Sequence, residues 1–323
     1  MSRTLLPISL VTALTAGVAF ADVPRVATDI APVHSLVARV MGDLGTPGLV
    51  IQSGASPHEY ALRPSDANTL QTADLIFWIG SDLTPTLGDT ITTIAPDALV
   101  IELLEDERTV MLETREGALF EKHDHSDEEH EGEDHETHEE HEDGHEDHAD
   151  HEGHDHDPHA WLSVQNAATW LNVIAGQLSE VDPEHAGTYF ANAAAGRAEL
   201  AVLSDEVNEM LEPVRTGRFI VFHDAYQYFE TDFDFTASGA ISIGDASDPS
   251  PARIGEIRDR IAAQGIDCVL TEPQFNAGLV AAVLDGSEAK TSVLDPMGSD
   301  LKSGPKLYPQ MIRNLAAALV ECL

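Results

Sequence analysis

Apolar residues fall into two patterns along this chain: short unbroken runs, and longer stretches in which they return every three or four positions. A short apolar run reads as a strand buried on both faces, and the three-to-four spacing reads as a helix with one buried stripe. Strands are therefore predicted at 23–28, 49–53, 74–79 and 98–103, with helices over 30–41 and from Pro64 to Ala73. Alternation of strand and helix gives a βα lobe with a mostly parallel sheet. The alternation returns later, with strands at 219–222, 266–271 and 292–294. Helices begin there at Ala225 and cover 251–264, which Gly265 ends, 280–284 and 308–323.

Between the two alternating regions the pattern is helical throughout. Residues 163–180 are apolar at helical spacing, and Asp182-Pro183-Glu184 then reads as a new start, with Asp as N-cap, Pro at N1 and an acid in the first turn. The spacing continues unbroken over 183–211 until Pro213. A helix of that length spans roughly 43 Å, enough to bridge two lobes. The expected fold class is α/β: two α/β lobes with mostly parallel sheets, joined by one long linking helix, with a cleft between them. The first lobe is assigned to 22–162, the helical linker to 163–213 and the second lobe to 214–323.

Residues 1–21 stand apart. Arg3, the apolar run from Leu5 to Phe20 and the small-x-small site Ala19-Phe20-Ala21 form the pattern of a secretory signal peptide. The apolar core is too short to span a bilayer stably, and no cysteine follows it to carry a lipid. The expected location is the periplasm. An oxidising compartment favours a bridge between the two cysteines, Cys268 and Cys322, with free buried thiols as the alternative.

Charge changes the picture in one window. The chain carries a formal charge of −40, which argues against nucleic acid or an anionic membrane surface as partner. Residues 121–157 hold 19 acids against one lysine, and 11 of the 16 histidines. They are His123, His125, His130, His135, His138, His141, His145, His148, His151, His154 and His156. With almost no apolar residue to bury, this insert is expected to be disordered without metal. His141-Glu142-Asp143-Gly144-His145 matches the metalloprotease pattern H-E-x-x-H, but that chemistry needs an amphipathic helix, and here Gly144 sits inside the motif among charges. Imidazoles among carboxylates suit a loose zinc-collecting arm, although Ni²⁺ and Cu²⁺ bind such ligands at least as tightly. An acidic solvated linker is the plainer reading.

Five histidines lie outside the insert. His58 follows a predicted strand, His159 precedes a predicted helix, and His223 ends a predicted strand. The carboxyl ends of strands line the crevice of open α/β sheets, so three imidazoles on separate loops can meet there as a zinc site. Asp295, which also follows a strand, Glu59 or a water can supply the fourth ligand. His34 and His185 lie within helical patterns and are read as structural.

The motifs around these residues are Pro57-His58-Glu59-Tyr60, Asp157-Pro158-His159-Ala160-Trp161-Leu162, Phe222-His223-Asp224-Ala225-Tyr226, Thr271-Glu272-Pro273-Gln274-Phe275 and Leu294-Asp295-Pro296-Met297-Gly298. In these the chain resembles the zinc-specific substrate-binding proteins of bacterial zinc ABC importers (the ZnuA type), within a wider cluster that also binds manganese. The resemblance covers nearly all of the chain beyond residue 21. It implies two lobes, a rigid linking helix and a metal at the lobe interface, with His58, His159 and His223 as ligands and Asp295 or Glu59 open as the fourth. A histidine at 223, where manganese-type relatives resemble a carboxylate, favours Zn²⁺. The resemblance also supports the Cys268–Cys322 pair and a monomer. It implies as partners an inner-membrane permease with its cytoplasmic ATPase, and periplasmic zinc chaperones are an additional candidate class. Two other readings use the same site: a zinc buffer with no importer, and a His₃ zinc hydrolase. No general base or substrate pocket marks the latter, so no enzyme activity is expected.

Overall fold

The computed structural model describes residues 23–115, 117, 120, 156–242, 249–274 and 277–323. The first sheet comprises β1 (Val26–Thr28), β2 (Gly48–Leu49), β3 (Leu75–Trp78) and β4 (Leu99–Glu102), in the order β2-β1-β3-β4. The second comprises β5 (Phe219–His223), β6 (Ala240–Ser242), β7 (Cys268–Thr271) and β8 (Lys290–Val293), in the order β6-β5-β7-β8. Every pairing in both sheets is parallel. The two lobes thus repeat one topology, and in each the strand order reverses beside the first strand. That reversal is where open α/β sheets place their ligands.

Parallel strands need helical crossovers, and these supply the remaining layers. They are α1 (Ala31–Met41), α2 (Pro64–Gln71) and α3 (Pro85–Ile94) in the first lobe, and α6 (Gln227–Phe233), α7 (Pro251–Gln264) and α8 (Ala277–Leu284) in the second. Helix α7 has the bounds its sequence predicts: Ser250 accepts a hydrogen bond from Arg253 N, Pro251 opens the helix, and Gly265 closes it at φ +62°. Helix α3 and strand β6 are additions to the elements read from sequence.

The linker is α4 (Val164–Val181), a 3₁₀ turn Pro183–His185, α5 (Ala186–Leu211) and a second 3₁₀ turn Glu212–Val214. At 26 residues α5 is about 39 Å long. Its buried stripe, Tyr189, Ala193, Gly196, Leu200, Leu203, Val207 and Leu211, keeps helical spacing from end to end. The stripe lies against α4, α1 and the closing helix α9 (Leu307–Cys322). At Gly196 a Cβ would come 2.9 Å from Leu171 Cδ1, so the close approach of α4 and α5 depends on glycine there. Asp182 does not cap the helix with its side chain. Its Oδ2 lies 2.7 Å from His185 Nδ1 and accepts a bond from Tyr189 Oη, which locks the entry into α5 sideways.

One apolar core runs through the first sheet, α1, α4, α5, α9 and the inner face of the second sheet. A smaller core, built on Ile220, Ile241, Ile257 and Val269, covers the other face of the second sheet. A continuous core through the linker holds the lobes as packed neighbours. Cys268 and Cys322 are bonded, Cα to Cα 5.7 Å, tying the start of β7 to the end of α9. Among the described residues, no helix is long and apolar enough to cross a membrane. The expected signal peptide at 1–21 and all of the insert before His156 lie outside the described residues.

Candidate metal centre

His223 is the last residue of β5, at the point where the strand order of the second sheet reverses. Across that switch point, just past the end of β7, stands Glu272, whose Oε1 lies 2.6 Å from His223 Nδ1. Glu272 is buried, and its Oε2 accepts a bond from Gln274 Nε2 at 2.8 Å. The first lobe closes its equivalent switch point differently: Asp29, just past β1, accepts bonds from Ile30 N and from Ile79 N, each at 2.7 Å.

His159 sits on a turn that both lobes hold. The turn continues into the 3₁₀ segment Ala160–Leu162 and then α4, where Ser163 caps by accepting from Asn166 N. Second-lobe groups pin the same turn: Asp232 accepts from Ser163 Oγ, Trp161 Nε1 donates to Pro296 O, and Tyr308 Oη donates to Trp161 O. Asp157 Oδ1 lies 2.7 Å from His159 Nδ1 and also accepts from His159 N at 3.0 Å. Burial pushes the Asp157 carboxyl up to about 7, against the bond from His159 N and the nearby Arg115 charge. A dication at the imidazoles favours the ionised, accepting form.

His58 arrives from the first lobe, on the loop between β2 and α2. Tyr60 anchors the loop by donating to Val50 O and to Asp66, and Ser56 Oγ accepts from His58 N. His58 Nε2 lies 3.2 Å from His159 Nε2, which lies 3.4 Å from His223 Nε2. The candidate ligand atoms of the three residues are all within 4.8 Å of one another.

This geometry fits a tetrahedral ion. Zinc–nitrogen bonds of 2.0–2.1 Å at tetrahedral angles place ligand nitrogens about 3.3–3.4 Å apart. A carboxylate at Nδ1 keeps the proton on that nitrogen in His159 and His223, which leaves Nε2 with its lone pair toward the centre. Of the other residues named from sequence, Glu59 is exposed and outside the group. Asp295 is also outside it, and its carboxylate accepts from Met297 N at 3.1 Å and from Ser299 N and Oγ, both at 2.6 Å. His156, the last of the repeat histidines, lies 3.9 Å from Asp82. His34 is buried with Nε2 3.1 Å from Pro47 O, and His185 faces Asp182, each a local structural tie.

Sequence reasoning missed the acids that hold the imidazoles. Asp157, two residues before His159, looked like one more acid of the insert, and Glu272 is 49 residues from its partner. Tyr226 was missed too. It is buried behind His223, and burial together with the Glu272 and Asp295 charges raises its pKa well above the usual tyrosine range.

A family model described as "Zinc-uptake complex component A periplasmic" matches residues 26–322. The chain is 47% identical over 304 residues to the high-affinity zinc uptake system protein ZnuA of Brucella abortus (strain 2308), covering 92% of this chain and 91% of that protein. It is 46% identical over 331 residues to the protein of the same description from Paracoccus denitrificans, covering 98% of each. Among solved structures it is similar to one described as a crystal structure of ZnuA, with TM-score 0.74 and 22% identity over 93% of this chain and 99% of that one. That last likeness concerns the fold.

Proposed function

The chain belongs to the periplasmic zinc-uptake complex component A family, and from that premise we propose that it captures Zn²⁺ in the cleft through His58, His159 and His223 and delivers it to an inner-membrane ABC importer. It is a zinc-binding component of a zinc ABC uptake system, so the metal is cargo and the partners are a permease and its ATPase. The observation that carries the ligand assignment is the spacing of the three Nε2 atoms, 3.2 and 3.4 Å, with buried carboxylates on Nδ1 of two of them.

The chemistry follows from that arrangement. Neutral imidazole suits Zn²⁺ better than it suits Mn²⁺ or Mg²⁺, which prefer oxygen. Asp157 and Glu272 orient two rings and raise their basicity, so little reorganisation is needed on capture. A water fits the fourth position best, because Asp295 is engaged within its own loop and Glu59 points to solvent. Binding of the ion between residues from both lobes stabilises the folded protein by mass action. The leader at 1–21 directs export, and the His/acid insert collects zinc and passes it to the cleft. The protein acts as a carrier and not as a hydrolase.

The test is radioactive zinc uptake by cells that lack their own zinc-binding component, supplied with this chain or with its His58→Ala/His159→Ala/His223→Ala variant. Uptake restored by the parent and absent with the variant is expected. Tight zinc binding without restored uptake would favour a periplasmic buffer.

A further inference from the structure

Residues 103–115 form a strap from the first lobe to the second. Leu103 N and Leu104 N extend the pairing of β4 by donating to Trp78 O and Ile79 O. Thr109 Oγ1 accepts from Trp170 Nε1, and Asn166 brackets Val110, exchanging bonds of 2.9 Å with both its N–H and its carbonyl. The strap then reaches α6. Leu112 N donates to Tyr228 Oη, and that hydroxyl donates to Asp157 O.

The strap ends in Arg115, whose guanidinium grips two acids of the second lobe. Nε lies 3.0 and 2.9 Å from the two Asp224 oxygens, Nη2 also bonds Asp224 Oδ1, and Nη1 donates to Glu230 Oε2 at 2.8 Å. The side chains are only 16%, 5% and 4% exposed for Arg115, Asp224 and Glu230. Two buried carboxylates this close need a countercharge, and the planar fork of arginine meets both with paired bonds that a lysine ammonium reproduces only in part.

Each end of this ion-pair group abuts the metal centre. Asp224 directly follows His223, while the strap pairs with the residues that carry His159: Asp157 N donates to Leu112 O at 2.8 Å, and Glu113 bridges to His156. We propose that Arg115 is a positioning residue for zinc capture: by clamping Asp224 and Glu230 to the strap, it fixes the spacing between His159 and His223. This role presupposes the cleft triad as the zinc site. Ligand constellations must be held to about 0.5 Å to function, and without the clamp the second lobe's β5–α6 turn has one fewer tie to the turn that carries His159.

The test is the rate of zinc release from the full chain into a chelator, read as the slow phase that the triple histidine variant lacks, beside thermal melting of the metal-free protein. Arg115→Ala is expected to release zinc several-fold faster, up to about the tenfold that is the low end for loss of a group bonded directly to a ligand. Arg115→Lys should recover part of the difference, and Glu230→Gln should give a smaller acceleration. A folded Arg115→Ala protein with a lowered apo melting temperature and parental release would reduce the arginine to a structural tie and overturn the proposal. If Arg115→Ala does not fold, Glu230→Gln decides: faster release at an unchanged melting temperature supports the role, and parental release overturns it. A parent with no slow phase would instead bring down the capture reading itself.

Discussion

Replacing Glu272 by Gln removes a charge from the candidate metal centre while nearly keeping its shape. Glu272 Oε1 is 2.6 Å from His223 Nδ1, and its side chain is fully buried. A hydrogen bond to a charged acceptor contributes about 1.5–3 kcal/mol, and a neutral one about 0.5–1.5 kcal/mol. The substitution should therefore cost about 1–1.5 kcal/mol of the preference for the Nδ1–H, Nε2-ligating form. At 1.4 kcal/mol per decade, that is a loss of about five- to twelvefold in zinc affinity. Glu272→Leu leaves Nδ1 with no acceptor at that position and should cost more, on the order of a hundredfold. The assay is competition for zinc against a chromophoric chelator, with near-ultraviolet circular dichroism to show that each variant is folded. The expected order of affinity is parent, Gln, then Leu, each binding one tight zinc in the cleft. Folded Gln and Leu variants with parental affinity would refute the idea that the carboxylate sets the tautomer and basicity of His223.

Other expectations follow from the same structure. The Cys268–Cys322 bridge closes a segment of 54 residues, for which the loop-entropy model gives about 4 kcal/mol. Because Cys268 starts β7 and Glu272 lies beyond its far end, Cys268→Ala/Cys322→Ala should lose about that much stability in urea titration and keep its zinc affinity. Asp29 is buried, and its carboxyl is pushed up by that burial from 3.8 to about 7. A raised folded-state value means its contribution is fully present below about pH 4 and is lost as pH rises through 7, so Asp29→Asn should flatten that part of the stability–pH profile. Profiles of equal slope for parent and variant would contradict the assignment. Gly196→Ala would press a methyl against Leu171 Cδ1 and should cost about 1–3 kcal/mol by overpacking, read as a lower melting temperature.

Much of this molecule was legible because its inner strands, such as β3 and β5, are apolar on both faces and several helices carry explicit ends. The run 74–79 could only be a covered strand, and Ser250, Pro251 and Gly265 mark both ends of α7. Helix α3 was missed for a physical reason. Its sequence is rich in threonine, a residue that favours strands, and the helix stands because Leu87 and Ile91 bury one face of it, while the Thr90, Thr92 and Thr93 hydroxyls bond back to carbonyls four residues earlier. Strand β6 has only three residues and follows no visible period. Asp182 carried every mark of a cap, yet its carboxylate turned to Tyr189 and His185, because a buried hydroxyl needs an acceptor.

The candidate metal centre divides in the same way. His58, His159 and His223 could be picked out by their places beside strand and helix ends, which topology brings to one crevice. Their supporting acids could not: hydrogen bonding across 49 residues leaves no local pattern for Glu272, and Asp157, two residues before His159, is one acid among the many of the insert. Arg115 was less visible still. It is a single cation at the edge of a window crowded with acids, and only the fold shows that it serves Asp224 and Glu230.

The most direct test of the account is a chelator-competition zinc titration of the chain beyond residue 21, with residues 123–155 removed, beside the same protein carrying His58→Ala, His159→Ala and His223→Ala. The shortened parent is predicted to bind one tight zinc, and the triple variant none. Tight binding by the triple variant, or its loss with the insert alone, would contradict a zinc site in the cleft.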